Sequence, residues 1–172
     1  MGSSAIDSVK SKLGMGARSN KYKVIIVGKG GGPNGDIIDV LAKSAAIPGR
    51  STNDVEVWNQ GRLTTIAGGA DFSGTWSVTF MDTEDHSLRG QFIAWMEYTD
   101  SVASHARGAG SHDDYMSTGT HQQLSTIDNS VKASYEFENL WPKTLSDSSM
   151  SDSTDDLVEF TVEFNYDSWK KL

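Results

Sequence analysis

The sequence predicts a mainly β fold with one or two helices, and three observations carry that expectation. Trp76, Val78 and Phe80 alternate with Thr75, Ser77 and Thr79, the period of a strand with one apolar and one polar face. Phe160, Val162, Phe164 and Tyr166 alternate in the same way with Glu159, Thr161, Glu163 and Asn165. Between them Leu88, Phe92, Trp95, Thr99 and Val102 recur at three- and four-residue intervals, widened by Ile93 and Met96, which is the stripe of a helix that packs on a sheet.

A chain of 172 residues suits one domain, long enough to bury a core without covalent or metal staples. It has no cysteine, which excludes disulfides, thiolate metal sites and thiol catalysis and fits folding in a reducing interior. With 23 acidic against 15 basic side chains the net charge is −8, the wrong sign for gripping nucleic acid through its phosphates. Met1-Gly2-Ser3-Ser4 lacks the basic-then-apolar order of a signal peptide, and no apolar run approaches the ~20 residues of a membrane span, so a soluble cytosolic chain without a membrane anchor is expected.

Residues 4–13 read as a short helix, with Ile6, Val9 and Leu13 on one face, Ser4 and Asp7 as a capping box and Gly14 as its stop, inside an N-terminal arm over 1–20. Residues 22–27 read as a strand, and the glycine-rich loop 28–35 as a mobile hairpin connection. Residues 37–46 read as a further strand, followed by the turn Ile47-Pro48-Gly49-Arg50, in which Pro presets φ and Gly supplies a positive φ. Short strands over 55–58 and 62–66 flank Asn59-Gln60-Gly61 as a hairpin. The helix is expected over 83–103, beginning near Thr83 with Glu84 and Asp85 in its first turn. Residues 104–120 read as a polar loop, and 124–127 with 131–138 as a hairpin about Asp128-Asn129, ended by Leu140-Trp141-Pro142 because Pro blocks pairing. Residues 146–156 form a Ser/Asp-rich loop, and the last strand occupies 157–167. Trp76, Phe80, Phe92, Trp95, Trp141, Phe160 and Phe164 are the expected core anchors.

Residues that could carry chemistry do not assemble into a motif. The glycine run lacks the Gly-Lys-Ser/Thr of a phosphate loop, and Gly30 and Gly32 lack a third glycine opening a helix. His105, His112 and His121 fall within or beside the 104–120 loop, but His112-Asp113-Asp114 are adjacent, without the three- or four-residue spacing of metal ligands on a helix. No motif sets two carboxylates across a cleft, so neither an enzyme nor a cofactor is expected.

Several patches together give the chain a family resemblance. It resembles the tail tube proteins of contractile-tailed bacteriophages, the myovirus type, in Ala17-Arg18-Ser19-Asn20-Lys21-Tyr22-Lys23-Val24, in Ile47-Pro48-Gly49-Arg50 and in Trp58-Asn59-Gln60-Gly61-Arg62 leading to Ala67-Gly68. The likeness continues through Phe72-Ser73-Gly74-Thr75-Trp76-Ser77-Val78-Thr79-Phe80, the helix with Phe92 and Trp95, Leu140-Trp141-Pro142, and the run from Glu159 through Trp169. Ser19 stands where the family pattern has Pro, and the 28–35 loop is a local elaboration.

The resemblance implies a single tail-tube domain over 1–172, a two-sheet antiparallel β-sandwich or β-barrel flanked by a helix, whose inner sheet joins its neighbours into a ring. Hexameric rings would stack into the inner tube of the virion tail, assembled in the host cytoplasm, and conduct the genome. The implied partners are other copies of the chain, the tail sheath protein outside, the tape measure protein inside before ejection, and baseplate and tube-terminator proteins at the ends. DNA would pass without specific binding. If 131–138 and 157–167 belong to the inner sheet, Glu136, Glu138, Glu159 and Glu163 line an acidic bore that repels phosphates. Gly30, Gly31, Gly32, Pro33 and Asn34 are expected to contact the next ring. Two other readings stay open: the tube of a bacterial secretion or injection machine, and a monomeric β-sandwich binding module that uses Trp58, Trp76, Trp141 or Trp169 as a stacking platform.

Overall fold

Strands Thr75–Met81 and Glu159–Asn165, whose alternation is clearest in the sequence, lie side by side and antiparallel, with Trp76 opposite Phe164, Val78 opposite Val162 and Phe80 opposite Phe160. Their apolar faces are therefore one surface, and the rest of the fold is built to cover it. The computed structural model describes residues 11, 17–35, 38, 41–72, 74–100, 108, 110–148 and 156–172.

In chain order the elements are β1 (Tyr22–Ile26), β2 (Ala42–Ala45), β3 (Ser51–Asn59), β4 (Arg62–Asp71), β5 (Thr75–Met81), α1 (Ser87–Thr99), α2 (His112–Tyr115), β6 (Ser117–Leu124), β7 (Val131–Leu145), β8 (Glu159–Asn165) and β9 (Ser168–Lys171). Among the described residues six strands pair in the order β1-β6-β7-β8-β5-β2, β9 adds to β7, and β3 pairs only with β4. Every pairing is antiparallel.

The long strand β7 makes two layers out of this path. Its first part pairs with β6 and β9, whereas Trp141, Pro142, Thr144 and Leu145 pair with β8. One layer thus holds β1, β6, β9 and the start of β7, and the other holds β2, β5, β8 and its end. The layers touch where the Trp76 ring stacks on Phe137 at 4.3 Å. Trp76 also lies over Gly119 of β6, where a β-carbon would fall 2.7 Å from Leu140 and 3.3 Å from Trp76, so a residue without a side chain makes room for the largest one.

Helix α1 covers the remaining apolar surface of the second layer. Leu88, Phe92 and Trp95 are buried, and the Phe92 ring lies 5.2 Å from Phe80 and 6.0 Å from both Phe160 and Phe164. Trp95 Nε1 donates to the Tyr115 carbonyl at 2.9 Å, which ties α1 to α2. At the open side of the path, the Tyr22 hydroxyl on β1 donates to the Ala42 carbonyl on β2 at 3.0 Å.

The structure corrects several local expectations. Ile38 and Leu41 are helical, and the strand expected over 37–46 is confined to Ala42–Ala45. The helix begins at Ser87, not Thr83: the Thr83 hydroxyl and the Asp85 carboxylate each accept from the Ser87 N–H at 3.2 Å, and His86 takes φ 51°, so a turn holding Glu84 and Asp85 precedes the helix. The expected 104–120 loop contains α2 and the first half of β6. Pro142 does not end β7, because it sits beside a register shift at the point where the strand exchanges one partner for another. Gly49 lies outside the positive-φ region, whereas Gln60 at φ 49° and Gly61 at φ 76° form the β3–β4 turn. The helix read over 4–13 lies outside the described residues except Ser11, which is helical, and Ser104, His105 and Val102 also lie outside them.

Candidate functional site

Strands β3 and β4 form an arm that, among the described residues, pairs with no other strand of the body. Every residue of β3 is exposed, and in β4 only Gly68 and Asp71 are partly covered. Val55 stands opposite Ile66 and Val57 opposite Thr64 on one face, while Glu56 opposes Thr65 and Trp58 opposes Leu63 on the other. Both faces therefore present large apolar side chains to water, and Trp58 near the tip is 68% exposed. A lone two-stranded ribbon is marginal in water, and apolar groups on both faces call for a covering surface.

The base of the arm is held firmly. Trp76 Nε1 donates to the Ala46 carbonyl at 2.8 Å, and Trp169 Nε1 donates to the Gly49 carbonyl at 3.0 Å. The Arg50 guanidinium lies 6.0 Å from the centre of the Phe72 ring, across the two links that join the arm to the body. Phe72 itself packs against the core.

The four glutamates expected to line one surface fall in different layers. Glu136 and Glu138 lie beside β9, where Lys170 Nζ bridges both at 3.0 Å and Ser168 Oγ donates to Glu138 at 2.8 Å. The hydrogen bond from Lys170, then that from Ser168, holds the Glu138 carboxyl below its usual value, and the hydrogen bonds to Glu138 and then Glu136 raise Lys170. Glu159 and Glu163 lie on the polar face of β8, where Lys43 pairs with Glu159 and the Thr79 and Thr161 hydroxyls meet at 3.0 Å. Glu163 stands opposite Ser77 and Thr144, with no cation paired to it among the described residues.

Of the expected core anchors, Trp76, Phe80, Phe92, Trp95, Phe160 and Phe164 are buried, while Trp141 is half-buried with its ring edge-on to Tyr115 at 6.4 Å. Trp76 in the core and Trp58 on the arm cannot share a stacking platform. The glycine loop is not a hairpin, since β1 pairs with β6. It closes on itself, Gly28 N–H donating to the Pro33 carbonyl at 2.8 Å and Gly32 N–H to the Lys29 carbonyl at 2.9 Å. Gly30, at φ 59°, lies so close beneath Tyr98 of α1 that a β-carbon would meet the ring at 2.1 Å, and Pro33 is buried; Gly31 and Asn34 are exposed, and Gly32 is partly covered.

His121 is buried on the inner side of β6 between the rings of Tyr22 and Tyr135, at 5.9 and 6.3 Å, with no hydrogen bond to Nδ1, and His112 lies in α2. His86 Nδ1 is 2.6 Å from the buried Asp82 carboxylate. Among the described residues no three His, Asp or Glu side chains are grouped to hold a metal ion, and no helix is long and apolar enough to cross a membrane. Sequence reasoning missed the Lys170 and Lys43 partners of the glutamates and the two indole donors at the base of the arm, because each joins residues at least 30 positions apart in the chain.

A family model described as "Phage tail tube protein" matches residues 17–172. The tail tube protein gp19 of Enterobacteria phage T4 is 25% identical over 129 residues, spanning 74% of this chain and 78% of the relative, and gp19 of Enterobacteria phage T6 matches to the same extent. Among solved structures, a chain of the anti-feeding prophage baseplate superposes with a TM-score of 0.68 at 13% identity, covering 91% of this chain and 95% of that one. A chain of the extended sheath–tube complex of the extracellular contractile injection system PVC gives 0.65 at 11% identity, covering 99% of each. At those identities the likeness is one of fold.

Proposed function

Since the chain belongs to the phage tail tube protein family, we propose that it is the structural subunit of the inner tube of a contractile tail, assembling as hexameric rings that stack into a conduit for the genome. The observation that carries this reading is the arm, whose apolar side chains on both faces are exposed, with nothing among the described residues to cover them. A second copy supplies the missing surface. The outer edge of β2, which pairs with no further strand among the described residues, supports the same reading, because ring closure satisfies sheet edges that would otherwise invite disordered pairing.

The layer of β2, β5 and β8 is the better candidate for the bore. Its apolar face is covered by α1 and the opposite layer, and the arm leaves directly from its strands β2 and β5. On this reading Glu159 and Glu163, with Ser77, Thr79 and Thr161, face the lumen, while Glu136 and Glu138 share Lys170 in the other layer. A hydroxyl-lined wall on which Lys43 is held by Glu159, and Glu163 leaves a residual negative charge, gives passing DNA little to bind. The tail sheath lies outside, the tape measure protein occupies the bore before ejection, and baseplate and terminator proteins cap the ends. The exposed part of the glycine loop, Gly31 and Asn34, is available to the neighbouring ring.

Negative-stain electron microscopy of the concentrated protein tests this, with the arm variant Val57→Asp/Ile66→Asp alongside. Hollow tubes from the native chain and monomers from the variant, at equal thermal stability, are expected. Tubes from the variant at the native concentration would remove the arm from the assembly surface.

A further inference from the structure

The two links between arm and body are secured differently. The return link packs Phe72 against the core, whereas the outgoing link from Ala46 to Arg50 belongs to no strand and is held by the Ala46 N–H, which donates to the Ser77 carbonyl at 3.4 Å, and by two indole N–H groups. These donors come from opposite layers. Trp76 belongs to β5 and reaches the Ala46 carbonyl, while Trp169 belongs to β9 and reaches the Gly49 carbonyl. Trp169 is itself braced edge-on by Tyr135 of β7, with ring centres 5.9 Å apart. A link held at two points three residues apart, from two layers fixed to each other by the Trp76–Phe137 stack, has its direction set by the whole body and not by one sheet edge.

We propose that Trp76 and Trp169 are positioning residues for assembly, whose indole donors fix the direction in which the arm leaves the subunit before it meets a neighbour. The proposal rests on the reading of the arm as the contact between copies. An arm already aimed at its binding surface loses little conformational freedom on docking, whereas a swinging arm loses more, and the difference falls on the concentration needed to polymerise. Trp76 also fills the core, so Trp169 is the residue at which positioning separates from folding: it is half-buried, and phenylalanine keeps a ring against Tyr135 while deleting the donor.

The chain has no cysteine, so Thr64→Cys on the arm and Glu97→Cys on α1 take nitroxide labels at those two places alone. Pulsed electron–electron distance measurements on dilute subunits then read the arm direction, with and without Trp169→Phe. A narrow distance distribution is expected for the parent and a broadened one for Trp169→Phe, with the thermal midpoint nearly unchanged. Without labels, the same substitution is expected to raise the threshold concentration for tubes by roughly tenfold, the scale of one lost hydrogen bond and the order it imposed. An unaltered distribution overturns the proposal, and so does a broadened one with an unaltered threshold. Failure of the native chain to form tubes under any condition would instead bring down the assembly reading, a result distinct from native tubes whose threshold ignores Trp169.

Discussion

Asn139 Nδ2 donates to Asp167 Oδ2 at 2.7 Å, at the place where two neighbouring strands turn together. Asn139 has φ 55° within β7, and Asp167 lies in the bend between β8 and β9, its N–H donating to the Glu138 carbonyl at 3.1 Å. The pair thus marks the corner at which β7 leaves one layer for the other. Asn is among the few side chains that accept the left-handed region readily, and here its amide also spans the corner.

Asn139→Ala is expected to lower the free energy of unfolding by about 1–3 kcal/mol, combining a β-carbon at positive φ with a lost hydrogen bond. Asn139→Gly should recover the backbone part only. Urea denaturation of the two variants separates the terms, and equal losses would mean that φ contributes nothing.

Acid should weaken the subunit in two steps. Burial holds the His121 imidazole below the ordinary histidine value of about 6.5, so in the window just under that value the unfolded chain binds a proton the folded one refuses. Stability is then whole above that window and falls as pH drops through it. The second step lies lower. Asp128, held at about 2 by hydrogen bonds from Ser125 and Ser130, contributes stability that is present above its ordinary value and lost as pH falls through its folded one. His121→Phe should flatten the first step and leave the second, as read from thermal midpoints across pH; an unchanged profile would exclude His121 as its source.

Two glycines should respond with opposite signs to alanine. At Gly90, inside α1, a β-carbon meets nothing within 4 Å, so Gly90→Ala should stabilise by about 0.5–1 kcal/mol. At Gly119 the space belongs to Leu140 and Trp76, so Gly119→Ala should destabilise by about 1–3 kcal/mol. Calorimetry decides both.

Glu163→Lys adds one unpaired cation per subunit to the polar face of β8. Tubes built from it are expected to retain short duplex DNA at low salt and release it at high salt, where native tubes retain none. Sedimentation of tubes with labelled duplex tests the placement of this face, and DNA-indifferent variant tubes would move the bore elsewhere.

These outcomes separate what the sequence declares from what it conceals. β5 and β8 were legible because each has one dry face, and the β3–β4 turn because Gln60-Gly61 supplies two positive φ angles. β6 was not, because its buried positions are Gly119 and His121, one emptied for Trp76 and the other polar, so no apolar period survives. The core strand that continues through Pro142 was hidden because a change of pairing partner has no local signature. The arm could be read as a hairpin, but its separation from the body depends on which strands decline to pair. The glutamate pairs looked alike along the chain and parted only when β9 brought Lys170 to one of them.

The arm's two strands run back into β2 and β5, which are paired with each other, and β5 is joined to β8 through all seven residues from Thr75 to Met81. Tension on the arm along its strands therefore enters the body as shear, across hydrogen bonds that lie perpendicular to it and share it along the ladder. A subunit loaded in this way resists like a lap joint, whereas a load arriving sideways on a sheet edge would peel one bond at a time.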